Sequence, residues 1–182
     1  ILGDNFFYGQ YLTEKLKSSV KIKNGAKVFL HRVRKPERYG VAKVKNNKII
    51  SIKEKPKKFF SDYAITGLYF FDNKVVNYSK KLKPSKRGEL EITDLLKKYK
   101  AKGKLSADFI GRGGAWLDTG SISDYYKTSN FVLAVENRQG FKVACLEEIA
   151  LLNNWITKKN IKDAIKFYGN CEYSTYLKRL IK

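Results

Sequence analysis

The stretch ILGDNFFYGQYLTEKLKSSVKIKNGAKVFLHRV, residues 1–33, decides the fold class. Ile1 and Leu2 read as the end of a buried strand, and Gly3-Asp4-Asn5 turns the chain. Leu12, Leu16 and Val20 then recur at helical spacing, with Lys15 and Lys17 on the other face. Asn24-Gly25 ends the helix, and the β-branched, alternating content of Ala26 to Val33 predicts another strand. Strand, turn, helix and strand in that order predict a βαβ crossover and an α/β domain.

The segments that follow fit the same class. Val41 to Val44, the turn-prone Asn46-Asn47 and Ile49 to Lys55 read as a hairpin stopped by Pro56. Tyr63 to Phe71 is a further strand, in which Thr66-Gly67 marks a bulge or a close backbone approach, and Asn73 is placed to cap a short helix. Glu89 to Tyr99 is helical by pattern and Leu105 to Ile110 strand-like. Gly111, Gly113 and Gly114 lead into a strand edge at Ala115-Trp116-Leu117-Asp118. Ser121-x-x-Asp124 is a capping-box signature before a helix from Tyr125 to Glu136. The tail from Glu147 to Lys182 reads as two or three short amphipathic helices, so the expected division is residues 1–140 and a helical region 141–182.

Twelve Tyr, eleven Phe and two Trp among 182 residues supply enough bulky apolar surface to exclude a disordered chain. The chain contains no Met and opens on what reads as a strand end, so residues are expected upstream. No apolar run approaches the roughly 20 residues of a membrane span, and a soluble cytoplasmic protein is expected. Cys145 and Cys171 are too far apart for a C-x-x-C motif, and with His31 the only histidine they build no metal cluster. Both are expected as reduced thiols. The formal charge of +21 is spread as single and paired lysines along nearly every segment, without a basic block or tail. That distribution favours a lysine-rich solvated surface, whose field would also steer anionic substrates, over a nucleic-acid-binding protein.

Asp4 and Asp118 share a context: an apolar run before, a small-residue turn and a helix after. Carboxyl ends of strands form the ligand crevice of open α/β sheets, and two carboxylates converging there suit Mg²⁺, which shares its oxygen ligands with substrate phosphates. An aspartate at such a turn also caps a helix, and spacing alone leaves both roles open. In Glu54-Lys55-Pro56 the two charged side chains would point to opposite faces unless the strand ends there. They are either a surface pair or a lysine for a phosphate beside a carboxylate for sugar hydroxyls. Arg87 stands ahead of an acid-rich helix start that disfavours a cation, so it is expected either to have an anion or carboxylate partner or, more simply, to be a solvated arginine.

Several strings, in order, make the chain resemble the glucose-1-phosphate thymidylyltransferase family: Leu2-Gly3-Asp4-Asn5-x-Phe7-Tyr8-Gly9, Pro36-Glu37-Arg38-Tyr39-Gly40-Val41, Glu54-Lys55-Pro56, Ala64-Ile65-Thr66-Gly67-Leu68-Tyr69, Arg87-Gly88-Glu89-Leu90-Glu91-Ile92-Thr93-Asp94 and Trp116-Leu117-Asp118-Thr119-Gly120. The resemblance continues through Phe131, Glu136, Arg138-Gln139-Gly140 and Tyr176 to Leu180. It implies a Rossmann-like nucleotidyltransferase fold, a mixed sheet flanked by helices, with a small carboxyl-terminal helical region. The implied activity joins glucose 1-phosphate to dTTP, giving dTDP-glucose and pyrophosphate, in a homotetramer without nucleic acid or membrane partners. Asp4 and Asp118 would bind the Mg²⁺, and Lys55 and Arg87 would grip the sugar's phosphate as the catalytic cations. Gly40, Glu54 and the backbone at Ile65 would hold the glucose, while Tyr39 and Trp116 would shape the walls. A regulatory nucleotide site would draw on Tyr8, Gly9, Arg112, Glu148 and Ile149.

The family's glycine-rich, arginine-containing triphosphate loop and its base-reading residues precede the Leu-Gly-Asp-Asn motif. The chain is therefore expected to be a carboxyl-terminal portion, incomplete at the amino terminus. Gly114 stands where an aromatic residue is usual, and Leu152 where the family often has an arginine. Open alternatives are a non-catalytic sugar-phosphate-binding or assembly piece, and a nucleotidyltransferase for another sugar or nucleotide.

Overall fold

Val28, Phe29 and Leu30 are fully buried because their strand, β2 (Ala26–Arg32), has neighbours on both sides. The computed structural model describes residues 1–182, in two units, Ile1–Ser121 and Ile122–Lys182. Helix α4 (Ile122–Gln139), grouped with the first part in the sequence reading, clusters with the second unit.

The first unit is built on a five-stranded mixed sheet. Its other strands are β3 (Gly40–Lys45), β4 (Lys48–Glu54), β5 (Tyr63–Phe71) and β6 (Leu105–Phe109), in the order β4-β3-β5-β2-β6. Only β2 and β6 run parallel; the other pairs are antiparallel. The core is Val28, Leu30, Ala42, Ile52, Ile65 and Leu96, alternate strand positions closed over by α3 (Ile92–Ala101). The hairpin forms as expected, with Asn46 and Asn47 both at positive φ (49° and 58°), the turn geometry that matches strand twist. The expected irregularity at Thr66-Gly67 is present. Register with β2 shifts between Val28, opposite Tyr69, and Leu30, opposite Ile65, and the buried Thr66 hydroxyl donates to the Phe29 carbonyl at 2.9 Å.

The crossover expected across residues 1–33 does not form. Ile1 and Leu2 are 76% and 50% exposed, and Leu2 joins β5 by a single bond, its N–H to the Gly67 carbonyl at 2.8 Å. The strand instead begins after the turn: β1 (Asn5–Tyr8) pairs antiparallel with β7 (Ala115–Asp118) in a separate two-stranded ribbon. Its partner is more than a hundred residues away, which a local pattern cannot show. Helix α1 (Leu12–Val20) is where the spacing places it, but Lys15 faces inward, its Nζ 2.8 Å from Asp108 Oδ1 and 2.5 Å from the Phe109 carbonyl, whereas Val20 is 71% exposed.

Helix α2 (Val75–Ser79) is held by Asp72 rather than Asn73, the Asp72 carboxylate accepting from Lys74 N–H at 3.0 Å. Helix α3 starts at Ile92, three residues later than the pattern from Glu89 predicts, leaving Leu90 exposed. No helix is long and apolar enough to cross a membrane.

The second unit comprises α4, α5 (Leu146–Leu152), α6 (Lys158–Tyr168) and α7 (Glu172–Leu180), so the tail holds the upper number of helices expected. Cys145, Ile161, Tyr176 and Leu177 form its core, and a capping box of Thr157 and Asn160 opens α6. Both cysteines are free thiols at helix starts, Cys145 buried and Cys171 exposed.

Candidate active site

A cavity of about 220 Å³ in the first unit is lined by Asp4, Tyr39, Gly40, Glu54, Lys55, Ile65, Trp116 and Asp118, and also by Asn5, Thr93 and Tyr69. Four elements converge on it. The end of β7 presents Asp118, the turn before β1 presents Asp4, the start of β3 presents Gly40 and the end of β4 presents Glu54.

Asp118 lies opposite Asn5 in the ribbon, which brings the neighbouring Asp4 beside it. Asp4 is fixed through its carbonyl, which accepts from the Thr119 N–H at 2.8 Å and hydroxyl at 2.9 Å. A β-carbon built on Gly120 would lie 2.9 Å from Asp118 Oδ1 and 3.7 Å from Asp4 Oδ2, so both carboxylates reach the same small space. Neither is in an ion pair with a lysine or arginine. Asp118 Oδ1 also accepts from the Gly120 N–H at 2.8 Å, the amide-satisfying role that sequence alone left open. Two adjacent carboxylates with unshared lone pairs are a hard-oxygen donor set that suits Mg²⁺ completed by phosphate oxygens and water.

Asn5 organises this corner. Its Oδ1 accepts from Trp116 Nε1 at 2.6 Å and from the Gly67 N–H at 3.2 Å, and its Nδ2 donates to Asp4 Oδ1 at 2.7 Å. Gly67 must be glycine for this approach, since a β-carbon would sit 2.8 Å from the Asn5 amide. Trp116, 9% exposed, packs against Tyr39 with ring centroids 4.9 Å apart, which makes the pair one wall of the cavity.

The backbone decides which way Glu54 and Lys55 face. β4 ends at Glu54, and Lys55 turns to φ +34°, its N–H donating to the Tyr39 carbonyl at 3.0 Å, so both side chains line one cavity. A non-glycine residue in that region carries strain of the kind found at functional sites. Burial pushes the Glu54 carboxyl above its ordinary value; the nearby Thr93 hydroxyl opposes the shift and the Glu91 charge adds to it. Thr93 is itself buried, with its Oγ1 in no well-formed hydrogen bond. Burial, with the Glu54 charge second, also raises the Tyr69 phenol.

Arg87 does not line the cavity but reaches Glu54, which does and which is one of three carboxylates around the guanidinium. Nη1 lies 3.7 Å from Glu54 Oε1 and 3.4 Å from Glu91 Oε1, and Nη2 lies 3.0 Å from Glu89 Oε2. Asn5, Thr93, Tyr69 and Glu91 had no assigned role in the sequence. All four lie inside the family motifs, but only the fold shows that Asn5 bridges the ribbon to Gly67 and that Thr93 faces Gly40.

The residues expected at a regulatory site are found in both units. Tyr8 and Gly9 line a cavity of about 240 Å³ with Leu12, Lys15 and Phe109. Arg112 lines another with His31, Arg32 and Tyr63. Glu148 and Ile149 are on α5 in the second unit, where Glu148 accepts from the Tyr176 hydroxyl at 2.6 Å.

Known proteins have similar sequences and structures. A glucose-1-phosphate thymidylyltransferase of Neisseria meningitidis is 46% identical over all of this chain and 64% of its own length. One from Neisseria gonorrhoeae is 49% identical, over all of the chain and 63% of its own length. The chain thus spans a little under two thirds of these relatives. Among solved structures, a Bacillus anthracis protein assigned as a glucose-1-phosphate thymidylyltransferase, in complex with sucrose, superposes with a TM-score of 0.61 at 44% identity, over 72% of this chain and 52% of that one. Residues 1–135 match the family model for nucleotidyl transferases, and the chain, with its mixed sheet and its cavity at the strand ends, belongs to the nucleotidyl transferase family.

Proposed function

We propose that this chain carries the sugar-phosphate and metal half of a glucose-1-phosphate thymidylyltransferase. The observation that supports this most is the convergence of Asp4, Asp118, Gly40, Glu54, Lys55, Ile65 and Trp116, drawn from five separate stretches of sequence, on one cavity. The curated relatives carry that activity in their names.

In this reading Glu54 and the backbone near Gly40 and Ile65 accept and donate hydrogen bonds to glucose hydroxyls, and the Tyr39–Trp116 wall packs on the ring. Lys55, a compact point charge, holds the phosphate. Arg87 supplies the second cation. Mg²⁺ bound by Asp4 and Asp118 would neutralise phosphate charge and orient the nucleotide. A phosphate oxygen of glucose 1-phosphate forms a bond to the α-phosphorus of dTTP as the bond to pyrophosphate breaks. That oxygen is already ionised, so the site needs no general base; alignment and charge neutralisation supply the rate. The complete protein is a homotetramer located in the cytoplasm, as the resemblance implies.

Two experiments test the reading. Calorimetry on the 182-residue chain should detect glucose 1-phosphate, and Lys55→Ala should weaken it clearly; no heat in the parent, or no difference in the variant, sinks the pocket assignment. Pyrophosphate release by the complete protein should require Mg²⁺, dTTP and glucose 1-phosphate. Turnover only with another sugar phosphate or nucleotide reassigns the substrate.

A further inference from the structure

Arg87 is surrounded by carboxylates that differ in one physical respect, their access to water. The Glu89 side chain is 60% exposed, Glu54 20% and Glu91 10%. An ion pair with an exposed carboxylate adds little, because water screens it. A buried carboxylate left without its cation is costly, so Glu91 is the partner that holds the guanidinium.

Glu91 is itself rigid. It occupies the N-cap position of α3, and the Ser85 hydroxyl donates to its Oε1 at 2.9 Å. Ser85 also accepts the Arg87 N–H on its Oγ at 3.1 Å, and its backbone is tied to the Glu89 carbonyl at 2.8 Å and to the Gly88 N–H at 2.9 Å. Residues 85–91 are therefore a closed clasp around one arginine. Nη1 is shared between Glu91 and the pocket carboxylate Glu54, with the contact to Glu54 the longer. The Arg87 side chain remains 41% exposed, which leaves it room to move.

We propose that Glu91 is a positioning residue. It keeps the Arg87 guanidinium beside Glu54 but off it, so that the cation can turn to a sugar-bound phosphate without first breaking a tight ion pair at the sugar-binding carboxylate. This rests on the sugar-phosphate reading of the cavity. Glu91→Gln keeps size and acceptor but removes the charge, and Arg87 should then collapse onto Glu54. Glucose 1-phosphate has to break that pair, and its binding falls roughly tenfold, the loss expected of one charge-assisted hydrogen bond.

The test is calorimetry with glucose 1-phosphate on the full chain, using Glu91→Gln, Arg87→Ala, the double variant and Glu89→Gln as control. Glu91→Gln should weaken binding, Glu89→Gln should not, and the double variant should bind like Arg87→Ala, because Glu91 acts through the arginine. Additive losses, or an effect of Glu89→Gln as large as that of Glu91→Gln, overturn the proposal. Ser85→Ala, which leaves all charges in place, should show a smaller loss of the same sign that vanishes in the Arg87→Ala background, and it serves if Glu91→Gln does not fold. A second arm needs no ligand: the Arg87 Nε–Hε resonance should shift in Glu91→Gln and stay in place in Glu89→Gln. An unmoved resonance overturns the anchor. If the parent binds no glucose 1-phosphate while the resonance shifts, the sugar-phosphate reading falls and the anchor stands.

Discussion

Gly40 has no room for a side chain: a β-carbon there would lie 2.7 Å from Thr93 Cγ2 and 3.1 Å from Glu54 Oε2. Thr93 is buried in a helix start and cannot retreat, so Gly40→Ala should lower stability by about 1–3 kcal/mol through overpacking, read by chemical denaturation. It should also push Glu54 into the cavity and weaken glucose 1-phosphate binding; a variant that binds as the parent does would show that the sugar sits elsewhere. Glu54 carries the opposite lesson. Its carboxyl is raised by burial first, with Glu91 adding and Thr93, Lys55 and Arg87 opposing. The folded state thus holds the proton more tightly than the unfolded state does. Stability from this group is greatest below the ordinary carboxylate range and falls as pH rises from there through the raised folded value. At neutral pH the charge is held at a cost, as is common at a site kept for binding. Glu54→Gln should therefore raise the melting temperature at pH 7, lose that advantage in acid, and bind glucose 1-phosphate poorly. A lower melting temperature at pH 7 would contradict this account.

Asp72 does for the elements what Asn5 does for the site. Its Oδ2 accepts from the Gly25 N–H at 2.7 Å, and its Oδ1 accepts from the Lys74 N–H at 3.0 Å and the Tyr99 hydroxyl at 2.7 Å. The start of β2, α2 and α3 are joined at one buried carboxylate. Burial alone would raise this carboxyl, but the three donors and the Lys74 charge bring it below its ordinary value. Its contribution is complete above the unfolded carboxylate value and is lost as pH falls toward the lower folded one. Asp72→Ala should cost about 3 kcal/mol, since it strands buried donors, with the difference from the parent shrinking in acid; a pH-independent difference would refute the linkage. At the hairpin, Asn46 and Asn47 already occupy the left-handed region, and Asn47→Gly should add about 0.5–1 kcal/mol to the denaturation free energy, whereas no gain would mean the turn is already optimal. This hairpin was legible because its signal is local: two asparagines between alternating runs. The first strand was not. Asn5–Tyr8 has four residues and a partner near residue 116, and the apolar Ile1-Leu2 drew the assignment to the wrong side of the turn, ahead of it instead of after it. The site was legible to the extent that its groups lie in short strings. Glu54-Lys55 and Trp116-Leu117-Asp118 are read directly, but the buried Thr93 and Glu91 look like ordinary helix-start residues until the fold turns them toward Gly40 and Arg87.

Across the whole molecule, charge is the dominant fact: a formal +21 on 182 residues. Most of it stands away from the cavity, whose own walls nearly balance, with Asp4, Asp118 and Glu54 against Arg38 and Lys55. A phosphate-bearing ligand is therefore drawn in by the distant lysines and held by the near groups. These two contributions respond differently to salt. Screening acts beyond about 8 Å at physiological ionic strength and hardly touches half-buried contacts. Association of glucose 1-phosphate should thus slow severalfold between low and high salt, as electrostatically steered encounters do, while dissociation changes little. Stopped-flow measurement of both rates on the chain decides the matter. If salt instead speeds dissociation and leaves association untouched, the phosphate is held by exposed lysines at the surface, and the balanced cavity is not where it binds.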